Sequence, residues 1–140
     1  MSNIPQAAEA VLLERFGKDS IISIATTVNN IPYVRNVDAF YEDGSFYVLT
    51  YALSNKMKQI EVNPLVAISG FWFTAHGKGS NLGHFGKEEN AEIAKKMQTI
   101  FSEWIHNGHT NLDDVNTCIL RIDLTKGVLL TPDARYELNF

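Results

Sequence analysis

The 140-residue sequence has a single cysteine, Cys118, and lacks any long apolar run. One cysteine cannot form an internal disulfide, which fits a reducing compartment. No stretch approaches ~18 apolar residues, the length that a membrane-spanning helix needs. Residues 1–10 also lack the basic start and apolar run of a secretory signal. These absences predict a cytoplasmic protein with no membrane partner.

The sequence also lacks an excess of basic residues, since 12 Lys and Arg stand against 16 Asp and Glu. Nucleic-acid-binding proteins usually present a basic face, so we expect no nucleic-acid partner. A local phosphate pocket is still compatible with this charge, because it needs only a few donors. Hydrophobic residues make up 45% of the chain and charged residues 20%, which is ordinary for a globular protein. The length suits one domain over residues 1–140.

The residue pattern predicts several short strands and a few helices. The predicted helices are Pro5–Phe16, a short one that begins near Ser54 and ends before Asn63-Pro64, and Lys87–His106. The predicted strands are Ile21–Val28, Ile31–Tyr41, Ser45–Tyr51, Leu65–Ala75 (with a bend at Gly70), Thr117–Leu124 and Lys126–Leu130. Asn29-Asn30 and Asp43-Gly44 are typical of hairpin turns, and Gly77, Gly79 and Gly83 indicate a loop or a bulged edge. The fold class is therefore mainly β with helical additions, built as an antiparallel barrel.

The segment from Arg35 to Pro64 carries the clearest chemical signal. Arg35 lies in the middle of a predicted strand, and Lys56 follows the predicted start of a helix at Ser54. A helix start offers unpaired backbone N–H groups and the positive end of the helix dipole. A hairpin that placed Arg35 beside Thr50 would let these groups bind a phosphate dianion. The alternative is that both cations are solvated surface residues.

Four short segments in this order resemble the pyridoxamine 5'-phosphate oxidase-like family of FMN-binding split β-barrels. The segments are Pro32-Tyr33-Val34-Arg35-Asn36-Val37, Val48-Leu49-Thr50-Tyr51, Ser54-Asn55-Lys56 and Asn63-Pro64-Leu65-Val66-Ala67. The resemblance extends from about Ile21 to Leu130. It implies an antiparallel split β-barrel, with FMN as the cofactor, held between the two subunits of a homodimer.

The same resemblance implies which residues bind the FMN phosphate. Arg35 and Lys56 would hold it, and Ser54 and Asn55 would support it. These are the residues for which the physical argument above already indicated an anion site. The phosphate is therefore the part of the cofactor for which the two arguments agree.

The flavin ring is assigned by the resemblance alone. Backbone groups of Asn36 and Val37 would line it, and Thr50 and Tyr51 would lie against it. Trp72 would reach the same flavin from the partner subunit. The sequence shows no catalytic triad or paired carboxylates, so no catalytic residue is assigned.

The implied function is an FMN-dependent oxidoreductase that takes electrons from a nicotinamide or another small donor. The family's oxidase is longer and ends in a strand that contacts its substrate's phosphate, whereas this chain ends in residues 135–140 with little similarity to it. We therefore expect pyridoxamine phosphate not to be the substrate. Two alternatives remain: a haem-binding split barrel, and a non-catalytic module that stores or senses flavin or has lost it.

The four histidines give no strong metal signal. His106 and His109 straddle a predicted helix end, where a cation is favourable on its own account, and two histidines without a third ligand indicate zinc only weakly. His76 or His84 could serve as an axial ligand in the haem alternative. We predict no metal site, and we expect Cys118 to be a buried small hydrophobic residue.

Overall fold

The structure, a computed structural model, describes residues 3–140; Met1 and Ser2, which the predicted domain 1–140 includes, lie outside the described residues. In chain order the elements are α1 (Gln6–Phe16), β1 (Ser20–Val28), β2 (Ile31–Glu42), β3 (Ser45–Tyr51), α2 (Asn55–Val62), β4 (Leu65–Gly70), β5 (Phe73–His84), α3 (Ala91–Ile100), β6 (Thr117–Leu130) and β7 (Arg135–Asn139). A 3₁₀ turn, Glu88–Asn90, leads into α3. None of the helices in this range is long and apolar enough to cross a membrane.

The strands form an antiparallel barrel. They follow the order β3-β2-β1-β4-β5-β6-β7, and β3 also pairs with β6, which closes six strands into a ring. The 14-residue β6 makes this closure possible, because it pairs with β5 along one edge while its other edge pairs first with β3 and then with β7. The predicted class, mainly β with an antiparallel barrel, is confirmed.

Two apolar cores hold the fold together. The first fills the barrel and includes Ile24, Phe46 and Leu120, all almost fully buried. The second lies outside the barrel wall, where Met97 and Phe101 of the α3 segment pack on outward-facing residues of β2 and β6. Each such side chain contributes roughly 1.5–3 kcal/mol when it leaves water. The α3 segment is therefore fixed to the barrel by its own core.

One predicted strand is two strands in the structure. The run Leu65–Ala75 is a hairpin rather than one bent strand: the chain reverses at Phe71-Trp72, and β4 pairs with β5. A Cβ at Gly70 would lie 2.7 Å from the ring of Phe16, so only glycine fits before this turn. A continuous apolar run does not distinguish a strand from a tight hairpin.

Nearer the end of the chain, two predicted strands are one strand in the structure. The segments predicted as Thr117–Leu124 and Lys126–Leu130 form one strand, β6, and the residue between them, Thr125, is left out of the pairing with β5 at a bulge. Gly77, Gly79 and Gly83, which we expected to form a loop or a bulged edge, lie in strand β5. The bulge in the pairing of β5 with β6 falls between His76 and Gly77. The helix predicted over Lys87–His106 is α-helical only over Ala91–Ile100, because the following turns place Phe101 and Ile105 in the second core.

β2 pairs unequally with its two neighbours, and this opens the barrel wall. Along one edge β2 pairs with β1 over the whole of β1, from Ser20↔Ala39 to Val28↔Ile31. Along the other edge it pairs with β3 only from Phe40↔Tyr47 onward. Among residues 3–140, the part of β2 before Phe40 therefore has one edge without a strand partner. Helix α2, which follows β3, packs at this part of β2, where its Gln59 accepts a hydrogen bond from Arg35.

Candidate functional site

Arg35 lies on β2 opposite Ile24 of β1, in the part of β2 that β3 does not cover. Its Nη1 donates hydrogen bonds to the Ile24 carbonyl oxygen at 3.1 Å and to Thr26 Oγ1 at 3.0 Å. Its Nη2 donates to Oε1 of Gln59 on α2 at 2.6 Å. All three acceptors are neutral, and the guanidinium has more N–H donors than these bonds use. The side chain is thus fixed in position while its charge is uncompensated.

Lys56 brings a second cation to the same place. Its side chain is half-buried on the first turn of α2. Burial lowers the pKa of Lys56, and the nearby Arg35 charge lowers it further, against an opposing effect of the Cys118 thiol. Burial also lowers the pKa of Arg35. Both shifts mean that the site holds positive charge at some cost to the folded protein.

No carboxylate among residues 3–140 pairs with either cation. The ion pairs in this range join Lys87, Lys96, Arg121 and Arg135 to acidic residues. Partly buried charges are normally paired, because an unpaired charge loses hydration without compensation. The Arg35–Lys56 pair therefore has the electrostatics of an anion site.

The start of α2 adds backbone donors. Ser54 caps the helix, with its Oγ accepting from the Met57 N–H at 3.4 Å, and the Lys58 N–H is used by the first helical bond to the Ser54 carbonyl. In the described part of the chain, the N–H groups of Asn55 and Lys56 have no such partner. They are the unpaired donors that a helix start offers to an anion. Asn55 itself is exposed.

Thr50 pairs with a different strand from the one that the sequence suggested. The β2–β3 hairpin pairing ends before Arg35, so it does not place Arg35 beside Thr50. Thr50 instead pairs with Cys118 of β6, and Cys118 is the residue whose thiol acts on Lys56. Tyr51 follows at the end of β3 and is exposed. Strand β6, rather than the hairpin, thus links the end of β3 to the cation pair.

The remaining predicted residues lie further along the sheet. Val37 is half-buried against the barrel core. Asn36 points to the opposite face of β2 from Arg35, where its Oδ1 accepts from Ser23 Oγ at 2.7 Å. Trp72 is 62% exposed at the β4–β5 turn with φ +50°. Its assignment to the partner's flavin stays a prediction.

Sequence reasoning missed two residues that position Arg35. Thr26 is almost fully buried, and its Oγ1 donates to Gln59 Oε1 at 2.6 Å. Gln59 thus accepts from both Thr26 and Arg35. The available signal was that Thr26 continues the inward-facing positions of Ile22 and Ile24, so a polar residue there needs a buried partner. Gln59 also follows Lys56 by one helical turn, on the same face of α2.

Two of the surface cavities lie on the face formed by β1, β4 and β5 and at the end of β3. The larger, about 620 Å³, is on the outer face of the sheet, where small residues such as Ala25, Ala67 and Gly127 form its floor. A smaller one, about 320 Å³, lies at the end of β3 and is lined by Thr50, Tyr51 and the loop that contains His109. Within residues 3–140, no group of three or more His, Cys, Asp or Glu side chains is arranged to hold a metal.

Known structures share this fold. A pyridoxamine 5'-phosphate oxidase-related, FMN-binding protein from Nostoc punctiforme is 17% identical, with a TM-score of 0.60 over 96% of this chain and 90% of that chain. An FAD-binding protein from Mesorhizobium loti is 13% identical, with a TM-score of 0.68 over 89% and 92% of the two chains. A NimC/NimA family protein from Clostridium acetobutylicum is 22% identical, with a TM-score of 0.67 over 95% and 94%.

These likenesses concern the fold. No protein-family model matches the sequence, and no curated protein does. The structures nevertheless match nearly the whole chain, end to end. The resemblance predicted from the four sequence segments is therefore confirmed as a resemblance of fold: this chain is a split β-barrel.

Proposed function

We propose that this protein is a flavoprotein that binds FMN between the subunits of a homodimer and uses it in a redox reaction on a small molecule. The observation that carries the proposal is the Arg35–Lys56 pair, which has two desolvated cations, no carboxylate partner in residues 3–140 and a helix start beside it. The FMN-binding and FAD-binding descriptions of two proteins with this fold support a flavin as the ligand.

The residues present fit the phosphate of FMN. A phosphate monoester carries a charge of about −1.5 to −2 at neutral pH, which matches two cations. Arg35 would donate its unused N–H groups, Lys56 its ammonium, and Asn55 and Ser54 would support the phosphate at the helix start. Charged hydrogen bonds of this kind contribute about 1.5–3 kcal/mol each. The phosphate is thus the part of FMN to which this chain is best adapted.

The redox chemistry belongs to the flavin ring when it is bound. The protein's part is to hold that ring, and Thr50 and Tyr51 at the end of β3 are the residues we assign to it, with backbone groups of Asn36 and Val37. A nicotinamide or another small donor would supply the electrons. We do not expect pyridoxamine phosphate to be the substrate. The cation of β7, Arg135, is exposed, and its Nη1 lies 3.1 Å from Glu137 Oε1. It is therefore already paired with a carboxylate and is poorly suited to bind a substrate's phosphate.

A homodimer would cover an apolar area on the outer face of the sheet. Ile21, Val34 and Leu65 point outward from three neighbouring strands and are 68%, 71% and 65% exposed. Ala25 pairs with Val34 on one side and with Ala67 on the other, which makes an apolar row across the three strands. Ile21 lies on the same face further along β1, beyond Ser23. Contiguous exposed patches of this kind usually mark an interface. A second copy on this face would bury the row, as the proposed homodimer requires.

Binding of FMN and riboflavin to matched variants tests the proposal. Lys56→Ala and Arg35→Ala should each weaken FMN binding by about tenfold or more, since one charged hydrogen bond is worth that much. Riboflavin lacks the phosphate, so it should bind the native protein poorly and be almost indifferent to both changes. Isothermal titration or flavin fluorescence would measure both ligands.

Two other surface cations serve as controls. Lys58 is exposed on the same helix and Arg135 is exposed on β7, so Lys58→Ala and Arg135→Ala should leave FMN affinity within about twofold, as for ordinary surface changes. Equal FMN affinity in the native protein, Lys56→Ala and Arg35→Ala would refute the phosphate site. Absence of any flavin binding by the native protein would refute the proposed function.

A further inference from the structure

The cavity at the end of β3 has a charge pattern opposite to that of the cation pair. It has a volume of about 320 Å³, and the residues that line it include Thr50, Tyr51, His109, Thr110 and Asp114. None of its lining residues is a lysine or arginine. Asp114 is the one acidic residue among those that line it.

The loop that forms this cavity is held in place before any ligand arrives. The Asp114 carbonyl accepts from the Thr117 N–H at 2.9 Å, and Thr117 Oγ1 donates to the Asn111 carbonyl at 2.7 Å. The loop is tied to the end of β3 by the Ala52 N–H, which donates to the Asn116 carbonyl at 2.7 Å. A ligand would therefore not have to order this loop on binding, and the entropy cost of such ordering, which lowers the affinity of many sites, would be avoided.

The charge of Asp114 is available to a ligand. Its Oδ1 accepts from the Asn116 N–H at 2.8 Å, and no lysine or arginine in residues 3–140 forms an ion pair with it. Around it, His109 and the hydroxyls of Thr50 and Thr110 offer further hydrogen-bonding groups. The cavity thus presents acceptors and one negative charge, which suits a cationic or uncharged molecule with hydrogen-bond donors and disfavours a phosphate ester.

From this we propose that the cavity lined by Thr50, His109 and Asp114 is the substrate site, and that it takes a small cationic or uncharged molecule with hydrogen-bond donors. The inference rests on the proposed function, because Thr50 and Tyr51 are the residues assigned to the flavin ring and they also line this cavity. One chain would then sort its ligands by charge, with the phosphate at Arg35 and Lys56 and the donor-bearing substrate at Asp114.

Three probes of equal size and different charge test the inference: benzylamine, benzyl alcohol and benzoate. Their binding to the isotope-labelled protein without flavin would be followed by backbone amide shifts of Thr110 and Asn111. Benzylamine should bind at least tenfold more tightly than benzoate. Asp114→Asn should weaken benzylamine binding by about fivefold, the effect of one unit charge at about 4 Å in water, and leave benzyl alcohol unchanged.

Asp113→Asn is the matched control, since Asp113 is the neighbouring exposed carboxylate and does not line the cavity. It should retain the native preference. Equal binding of the three probes, or equal losses in the Asp113 and Asp114 variants, would overturn the inference. Because Asn keeps the Oδ1 acceptor that the Asn116 N–H uses, an unchanged melting temperature should confirm that Asp114→Asn folds.

The same probes with FMN present separate this inference from the proposed function. Benzylamine bound beside the ring should shift the flavin absorption bands, and Asp114→Asn should reduce that shift at a fixed benzylamine concentration. Benzylamine binding that leaves the bands of bound FMN unchanged would overturn the substrate role while the flavin proposal stood. Charge-selective binding in a protein that takes up no FMN would support the cavity's charge preference and overturn the flavin proposal.

Discussion

Replacing Lys56 by methionine should make the protein without flavin more stable. Methionine keeps the length and apolar character of the lysine stem, which is half-buried, and removes a charge that is desolvated beside Arg35. Relief of such a like-charge contact near the surface is worth on the order of 0.5–1 kcal/mol. For a chain of this length that corresponds to a rise in melting temperature of roughly 2–4 °C.

The pH dependence of this gain follows from the direction of the pKa shift. The pKa of Lys56 in the folded protein is lowered from 10.5, so the charged form destabilises the fold at neutral pH. The penalty is present below the folded pKa and is relieved as pH rises through it towards 10.5. The advantage of the Lys56→Met variant should therefore be greatest near neutral pH and shrink at strongly alkaline pH.

FMN should reverse the order of stability. At an FMN concentration ~100 times the native Kd, binding stabilises the native protein by about 2.7 kcal/mol. A tenfold weaker Kd in Lys56→Met would reduce this to about 1.4 kcal/mol, a loss greater than the gain without flavin. Native protein should thus melt below the variant without FMN and above it with FMN.

Thermal unfolding of the native protein, Lys56→Met and Lys58→Met, each with and without FMN, would measure this reversal. Lys58 is exposed on the same helix and has no assigned role, so its variant should follow the native protein in both conditions. A Lys56→Met protein that is less stable than native without FMN would refute the reasoning, because it would show that the lysine charge is already compensated. The same reversal in Lys58→Met would assign the effect to the helix and not to the cation pair.

Two further predictions concern other parts of the fold. Asp19 Oδ2 accepts from Trp104 Nε1 at 3.0 Å. Burial raises the pKa of Asp19, and the neighbouring Asp38 raises it further, against an opposing effect of the Trp104 hydrogen bond. Urea unfolding should show Asp19→Asn to be more stable than the native protein at pH 7, and the difference should shrink as pH falls through the raised pKa; an equal difference at pH 7 and pH 4 would contradict this. Val34→Asp places a charge in the apolar row, so in sedimentation experiments it should convert the dimer to monomers. Val115→Asp, at another exposed valine, is the control and should leave the dimer intact. A native monomer that binds FMN tightly would exclude a site shared between subunits.

Local patterns were enough to predict most of the barrel. The Asn29-Asn30 turn has positive φ at both residues, the Ser54 cap starts α2 as expected, and the first three strands lie within about a residue of their predicted bounds. These features depend on neighbours in sequence, which a single sequence displays directly. The hairpin at Phe71-Trp72 could not be predicted in this way. An apolar run has the same residue pattern whether it forms one strand or reverses into two.

The surroundings of Arg35 could be predicted only in part. The sequence indicated two cations near a helix start, but the groups that fix Arg35, Thr26 and Gln59, come from two other elements. Their approach depends on the register of β1 with β2 and on where α2 crosses the sheet, and both are set by tertiary packing. The Asp114 cavity was likewise hidden, since its wall is a loop that reaches β3 only through the fold.

The opening in the barrel and the position of the Arg35–Lys56 pair have one structural cause. The barrel closes because β3 pairs with β6 over its whole length, from Ser45↔Asp123 to Tyr51↔Thr117. Its other edge pairs with β2 only as far as Phe40↔Tyr47, and beyond that pair β3 departs from β2. That departure frees the edge of β2 at Arg35, and the chain leaving β3 must then turn back through α2, which begins at Ser54. The helix start and the uncovered strand are therefore brought together by the same departure of β3 from β2. A substitution that extended the β2–β3 pairing would remove the edge that leaves Arg35 uncovered, even if both cations were retained.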